Sequence, residues 1–220
     1  MVLTIHHLHV SQSERVVWLC EELAIPYELK TYTRAPLLAP PEYKALHPAG
    51  TSPVIQDSDG DLTLAESSAC IEYIARKVGG GRLFLEPDNP AYADFLYWFH
   101  WANGTMQPTL ARTMVLKAAG LDVDHPLSTL TDDRIARSLG MLEKRLRDNE
   151  WLAGSQFTAA DIMAVFSLTT FRYYTSFSLK GYDGILGYLE RVGMRGAYRR
   201  AMEKCDPHMA LALGAEPPKV

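Results

Sequence analysis

The stretch VGGGRLFLEPDNP, residues 78–90, separates two halves of a 220-residue chain that follow different periodicities. Glycine and proline at this density end regular structure. Before it, short apolar runs of strand type alternate with helical patterns; after it, only helical patterns occur. A chain of this kind is expected to fold as an α/β domain over residues 1–80, a linker over 81–89 and an all-helical domain over 90–220. Hydrophobic residues make up 47% of the chain, enough to give each half a core of its own.

In the first half, VLTIHHL (2–8) reads as a strand and 14–24 as a helix. Val16, Leu19, Cys20 and Leu23 mark one helical face at the i, i+3, i+4, i+7 spacing. YELKTYT (27–33) alternates like a strand, and LAPPEYKALHPAG (38–50) is a short helix or turn. SPVIQD (52–57), the tight turn SDGD and LTLA (62–65) form a hairpin. Residues 67–78 give an amphipathic helix. The order β-α-β-α-β-β-α is thioredoxin-like and implies a mixed sheet covered by helices. The second half predicts helices over 90–116, about 130–148, 158–174 and 183–203. In FTAAD (157–161), Thr158 and Asp161 fall at the N-cap and N3 positions of the third of these helices. That helix is apolar nearly all round, so it belongs at the centre of its domain.

Net charge is −4 with acids and bases interspersed, which argues against nucleic acid or an anionic membrane as partner. No apolar run approaches the ~18 residues of a membrane span. MVLTIHHLHV lacks the basic region and cleavage site of a signal peptide and reads as a buried strand. Cys20, Cys70 and Cys205 are widely spaced and odd in number, so neither a disulfide framework nor a zinc set is expected. The reading is a reduced, cytoplasmic protein without a metal.

Three short motifs carry the chemistry. Ser11 and Glu14 fit the S-x-x-E capping box at the first helix. A hydroxyl there is equally placed to hold an anion, because unpaired amides and the positive end of the dipole point the same way. Pro53 begins a strand, which requires an unpaired position or a cis bond. With Ser52–Pro53 cis, Val54 at the strand edge offers its N–H and C=O to an extended peptide. Glu66 and Ser67 stand where a strand gives way to a helix. There a carboxylate ligand is held by the Ser67 amide and hydroxyl, and an ammonium by Glu66.

SQSER (11–15), HPAGTSPV (47–54), Glu66–Ser67 and FTAAD, in this order and spacing, resemble the cytosolic glutathione transferases. The closest likeness is to serine-type members of bacteria and fungi, and it covers nearly the whole chain. The resemblance implies a thioredoxin-like domain, a helical domain and a homodimer. It also implies glutathione as cosubstrate, a small hydrophobic electrophile as second substrate, and a role in detoxification. Carried onto these positions, Val54 beside cis-Pro53 and Ser52 pairs with the cysteinyl backbone, and Glu66 and Ser67 hold the γ-glutamyl end. Ser11 donates to the sulfur, with Ser13 as the alternative. Thr158 and Asp161 match a structural pair. Relatives commonly carry lysine where Thr51 stands, so the glycine carboxylate loses a charged partner unless Lys44 or His47 reaches it. The second substrate is expected between the domains, near Trp101, Met106, Tyr173 and Tyr174.

A free thiol with pKa ~8.5 is only about 3% thiolate at pH 7, and lowering that pKa by two units takes ~2.7 kcal/mol. One hydroxyl hydrogen bond to a charged sulfur, helped by the helix dipole, is of that size. Ser11 therefore serves as donor and the cosubstrate as nucleophile. Two other readings stand beside this one. One is a glutathione-dependent peroxidase or disulfide reductase, which the lack of a cysteine at 11–13 disfavours. The other is a non-catalytic binding or scaffold protein, which the hydroxyl at 11 and the Glu66–Ser67 pair disfavour.

Overall fold

A computed structural model describes residues 2–35 and 38–218. The chain forms two compact units, Met1–Phe84 with Gly193–Met209 and Leu85–Val192 with Ala210–Val220. The first changeover thus lies inside the Gly/Pro-rich stretch.

The first unit is built on a four-stranded sheet of β1 (Leu3–Leu8), β2 (Glu28–Tyr32), β3 (Val54–Asp57) and β4 (Leu62–Ala65), in the order β2-β1-β3-β4. β1 and β2 are parallel, with Ile5 opposite Leu29, while β3 runs antiparallel to both β1 and β4. All six residues of β1 are buried, as a central strand covered on both faces requires. α1 (Glu14–Leu23), α2 (Pro41–Lys44) and α3 (Ser67–Lys77) complete the expected order. α1 buries Val16, Val17, Leu19, Cys20 and Leu23. This is the thioredoxin-like arrangement.

The second unit holds α4 (Tyr92–Trp101), α5 (Gln107–Ala118), α6 (Pro126–Asp148), α7 (Ala159–Leu168) and most of α8 (Asp183–Met194). All ten residues of α7 are buried, and its first turn is closed by Asp161. The Asp161 carboxylate accepts from the Thr158 amide at 2.8 Å, the Leu152 amide at 3.0 Å and the Tyr188 hydroxyl at 3.2 Å.

Three helices expected to be continuous are interrupted, each for a local reason. The 90–116 segment opens into a π-turn over Ala102–Met106. Pro108 has no N–H for the Gly104 carbonyl and its ring crowds that oxygen, so a widened turn relieves the clash. The 158–174 segment stops at Leu168 and continues as a 3₁₀ turn over Thr170–Tyr173. There the Thr169 hydroxyl donates to the Val165 carbonyl at 2.9 Å, in competition with its own amide. The 183–203 segment breaks at Arg195, whose backbone is extended, and resumes as α9 (Gly196–Cys205).

α9 packs on α1 in the first unit, not with the helical domain to which its position in the chain assigns it. Arg195 holds Glu22 of α1 through two bonds of 2.7 and 2.8 Å, and Trp18 meets Tyr198 edge to face at 4.9 Å. Glu21 takes Arg200 and Lys204 of α9 together with the Tyr27 hydroxyl. Burial raises the Glu21 pKa, but these three partners outweigh it and bring the value to about 2. Because that lies below the unfolded value, its contribution is complete above pH ~4.5 and is lost as pH falls toward 2. Acid titration of stability is expected to flatten across this window in Glu21→Gln. The change is small, because Arg200 and Lys204 are about half exposed.

Candidate functional site

β1 ends at Leu8, and the turn into α1 is pinned on both sides. Val10 adopts φ +53°, a left-handed conformation that a β-branched residue rarely takes. Arg34 holds the turn by donating to the carbonyls of His9 and Val10, both at 2.8 Å. The Val10 amide donates to both carboxylate oxygens of Asp206, at 3.2 and 3.1 Å. The bend sets Ser11 in a chain of hydroxyls, with its Oγ 2.7 Å from Ser13 Oγ and 2.9 Å from Ser52 Oγ.

This corrects the capping assignment. Ser13 precedes α1 with helical dihedrals and makes no side-chain cap. Its hydroxyl is engaged instead with Ser11 and with His7 Nδ1, at 2.8 Å. Ser11 accepts the Ser13 amide at 3.3 Å, but its closer partners are the two hydroxyls. Ser11 keeps a little exposure at 5%, while Ser13 has none.

The Ser52–Pro53 peptide bond is cis, and Val54 begins β3 opposite His6 and Ala65. Gln12 joins this turn to the start of α3. Its Nε2 donates to the Ser52 carbonyl at 2.8 Å, and its Oε1 accepts from Arg15 at 2.8 Å and from the Ser67 hydroxyl at 3.2 Å. Arg15 also donates to Ser67 Oγ at 3.2 Å. Burial lowers the pKa of this enclosed guanidinium to about 9. Glu66 is exposed at φ +73°, immediately before buried Ser67. Because β3 lies between β1 and β4, Val54 is not at the sheet edge expected from the sequence but is the first residue of an interior strand. Ser11, Ser13, Ser52 and Ser67 are joined through one hydrogen-bonded assembly around the cis-proline turn that precedes it, with Glu66 at its rim.

Two other expected residues lie in the loop before the cis-proline. His47 is half-buried and its Nδ1 accepts the Ala49 amide at 3.1 Å, while Thr51 is exposed. The aliphatic stem of Lys44 runs past Gly50, which needs its φ of +61° to make this turn. In the second unit, Trp101 and Met106 are buried and Tyr173 and Tyr174 are half-buried; the Tyr173 hydroxyl donates to the Ala210 carbonyl at 2.7 Å. All three cysteines are free and buried. Burial raises each thiol, Cys70 to about 12, so none supplies a thiolate.

Gln12, Arg15, His7, His9 and Asp206 were not picked out from the sequence. Gln12 stands between the two serines and is the nearest to a legible signal. Asp206 is some two hundred residues from His7 and His9, yet accepts from both, at 3.2 and 2.7 Å. Burial raises the Asp206 pKa; the hydrogen bonds it accepts from His7, His9 and the Val10 amide bring it below the usual carboxylate range. Ligand-type atoms of these three residues lie within 4.8 Å of one another. Each imidazole nitrogen facing the carboxylate already has it as partner, so the group reads as a hydrogen-bonded cluster.

Residues 11–77 match the family of glutathione S-transferase N-terminal domains, and residues 107–191 match the family of glutathione S-transferase C-terminal domains. The chain belongs to the glutathione S-transferase family. Glutathione S-transferase 3 of Schizosaccharomyces pombe is 33% identical, with 93% of this chain and 88% of that protein covered. A glutathione S-transferase from Actinobacillus pleuropneumoniae superimposes with TM-score 0.83 at 32% identity, over 96% of this chain and 98% of that one. A disulfide-bond oxidoreductase of Escherichia coli is 29% identical over 76% of this chain and 78% of its own length. Among the described residues no helix is long and apolar enough to cross a membrane.

Proposed function

We propose that this glutathione transferase binds glutathione along the first unit and activates its thiol through Ser11 for attack on a small hydrophobic electrophile. The observation that carries the reading is the contact between the Ser11 and Ser52 hydroxyls, 2.9 Å apart at the cis-proline turn. In this reading a hydroxyl stands beside the start of β3, where the cysteinyl backbone of the tripeptide pairs at Val54. Glu66 takes the γ-glutamyl ammonium, and Ser67, braced by Arg15 and Gln12, takes the carboxylate. Ser11 stays neutral: it donates to the thiolate, which displaces a leaving group or adds to an electrophilic carbon. Of the second-unit residues expected to meet the electrophile, Tyr173 and Tyr174 keep partial exposure and remain candidates, whereas Trp101 and Met106 are enclosed in the core of that unit. A homodimer in a reducing, cytoplasmic setting belongs to this reading, and sedimentation at working concentration tests the dimer.

Assays of aryl-halide conjugation and of hydroperoxide reduction test the assignment. Conjugation as the larger activity supports the transferase. Hydroperoxide or disulfide reduction alone supports the second reading, favoured by the disulfide-bond oxidoreductase relative but opposed by the three buried, raised thiols. No activity with either substrate, with glutathione unbound, points to a scaffold.

The glycine carboxylate meets an exposed hydroxyl at Thr51 and no adjacent charge on that side chain. A charge-assisted bond is worth ~1.5–3 kcal/mol against ~1 for a neutral one. Thr51→Lys is therefore expected to tighten glutathione binding by about fivefold, read by calorimetry, with kcat little changed.

A further inference from the structure

We propose that His7, held by Asp206, receives and stores the proton that glutathione loses when it binds at Ser11. The inference rests on the reading of the site as a thiol-activating one. What points to it is an unbroken chain of hydrogen bonds, all within the first unit: Asp206 Oδ2 to His7 Nε2 at 3.2 Å, His7 Nδ1 to Ser13 Oγ at 2.8 Å and Ser13 Oγ to Ser11 Oγ at 2.7 Å. His7 and Ser13 have no solvent exposure, so neither joins the chain through bulk water.

The partners fix the direction of every proton. An ionised carboxylate only accepts, so the neutral His7 ring carries its proton on Nε2 and leaves Nδ1 bare. Ser13 has one proton and must donate it to Nδ1. The Ser11–Ser13 bond is then made by the Ser11 proton, and Ser52 donates to Ser11. In this state Ser11 has no proton to offer a sulfur. A resting Ser11 is thus an acceptor, the wrong polarity for stabilising a thiolate.

Protonation of His7 reverses the chain. The S–H bond of glutathione breaks and its proton goes to Ser11 Oγ. The original Ser11 proton moves to Ser13 Oγ, and the original Ser13 proton moves to His7 Nδ1. The electron pair stays on sulfur. The products are a thiolate, an Ser11 hydroxyl now donating to it, and an imidazolium paired with Asp206. Proton and charge balance without oxidant or reductant. One transfer therefore both ionises the thiol and turns Ser11 into its donor. The arrangement uses the components of a Ser-His-Asp triad, but with Nδ1 toward the serine and Nε2 toward the carboxylate, and with a second serine as the group that meets substrate.

The surroundings accommodate the stored charge. His9 shares the Asp206 carboxylate through Nδ1 at 2.7 Å, and its ring stands edge-on to His7 at 5.6 Å. The Val10 amide holds both carboxylate oxygens in place. Arg34 on the His9 and Val10 carbonyls, Glu14 at the start of α1 and Cys205 before Asp206 also stand at this junction, with Cys205 kept neutral by burial. His7 and Asp206 act through Ser13 and are positioning and proton-storing residues.

The test counts protons. Glutathione is added to the wild-type protein, with and without a chelator, while thiolate is followed by its ultraviolet absorbance and proton release by calorimetry in buffers of different ionisation enthalpy. The expected result is that thiolate forms with well under one proton released per site, and that the ¹⁵N resonance of His7 Nδ1 moves from bare to protonated. S-methylglutathione, which has no thiol proton, leaves that resonance unmoved. Ser13→Ala breaks the chain, so any thiolate it forms releases a full proton. A full proton released per thiolate by the wild type, or an unmoved His7 resonance on thiolate formation, overturns the relay and leaves the transferase reading intact. Failure of glutathione to bind overturns both.

Discussion

Replacing Ser11 with alanine is expected to lower kcat/KM for conjugation about a hundredfold, with glutathione affinity held within a few-fold. The size follows from the ~2.7 kcal/mol needed to move a thiol pKa by two units, all of it spent on the ionised form. Affinity is expected to be little affected because the proposed peptide contacts lie elsewhere, at Val54 on β3 and at Glu66 and Ser67 where α3 begins. Ser13 does not take over, since its hydroxyl is fully enclosed and already bonded to His7 at 2.8 Å. Steady-state kinetics separate the two effects. A fall in kcat/KM with binding preserved is an interaction made only with the ionised form, whereas a rise in KM alone makes Ser11 a binding group. Ser13→Ala distinguishes the serines: if it loses more activity than Ser11→Ala, the donor is Ser13.

The largest loss of stability is expected at Asp161, far in sequence from any of this chemistry. Its carboxylate accepts from two buried amides, of Leu152 and Thr158, and from the hydroxyls of Thr158 and Tyr188. Burial pushes its pKa up to about 6 even so. Asp161→Ala strands several buried donors at once and opens a void at the start of the buried helix α7. Each stranded donor costs ~1–3 kcal/mol, so a loss of roughly 3–5 kcal/mol is expected. Asp161→Asn keeps one acceptor oxygen and should lose less. Chemical denaturation of both variants measures this, and a loss under about 1 kcal/mol for Asp161→Ala would mean that the capping box is incidental.

The alternation of strand and helix up to residue 78 was legible because each element announces its own period, and the turn residues fall between elements. The buried α7 was legible for the same reason. Helix ends were not: Pro108 opens a π-turn, Thr169 back-bonds and Arg195 extends, three local events that leave the apolar pattern unbroken. In the candidate site, Ser11, Pro53 and Ser67 drew attention in the sequence because they sit at element boundaries, where hydroxyls and proline carry positional meaning. His7 could not, since a histidine in a fully buried strand looks like packing until its partner is known. That partner, Asp206, arrives on the end of α9, and helical periodicity gives no indication that α9 packs on α1. Arg15 was hidden similarly: an arginine on a helix reads as solvated, and only the fold encloses it against Gln12 and Ser67.

Whether Ser11 activates the thiol is decided by a pH titration of thiolate absorbance for glutathione bound to the wild-type protein and to Ser11→Ala. A bound thiol pKa about two units below that of the free thiol is expected in the wild type, returning toward the free value in Ser11→Ala. A bound thiol that titrates like free glutathione in the wild type, or one equally lowered in both proteins, would contradict activation by Ser11.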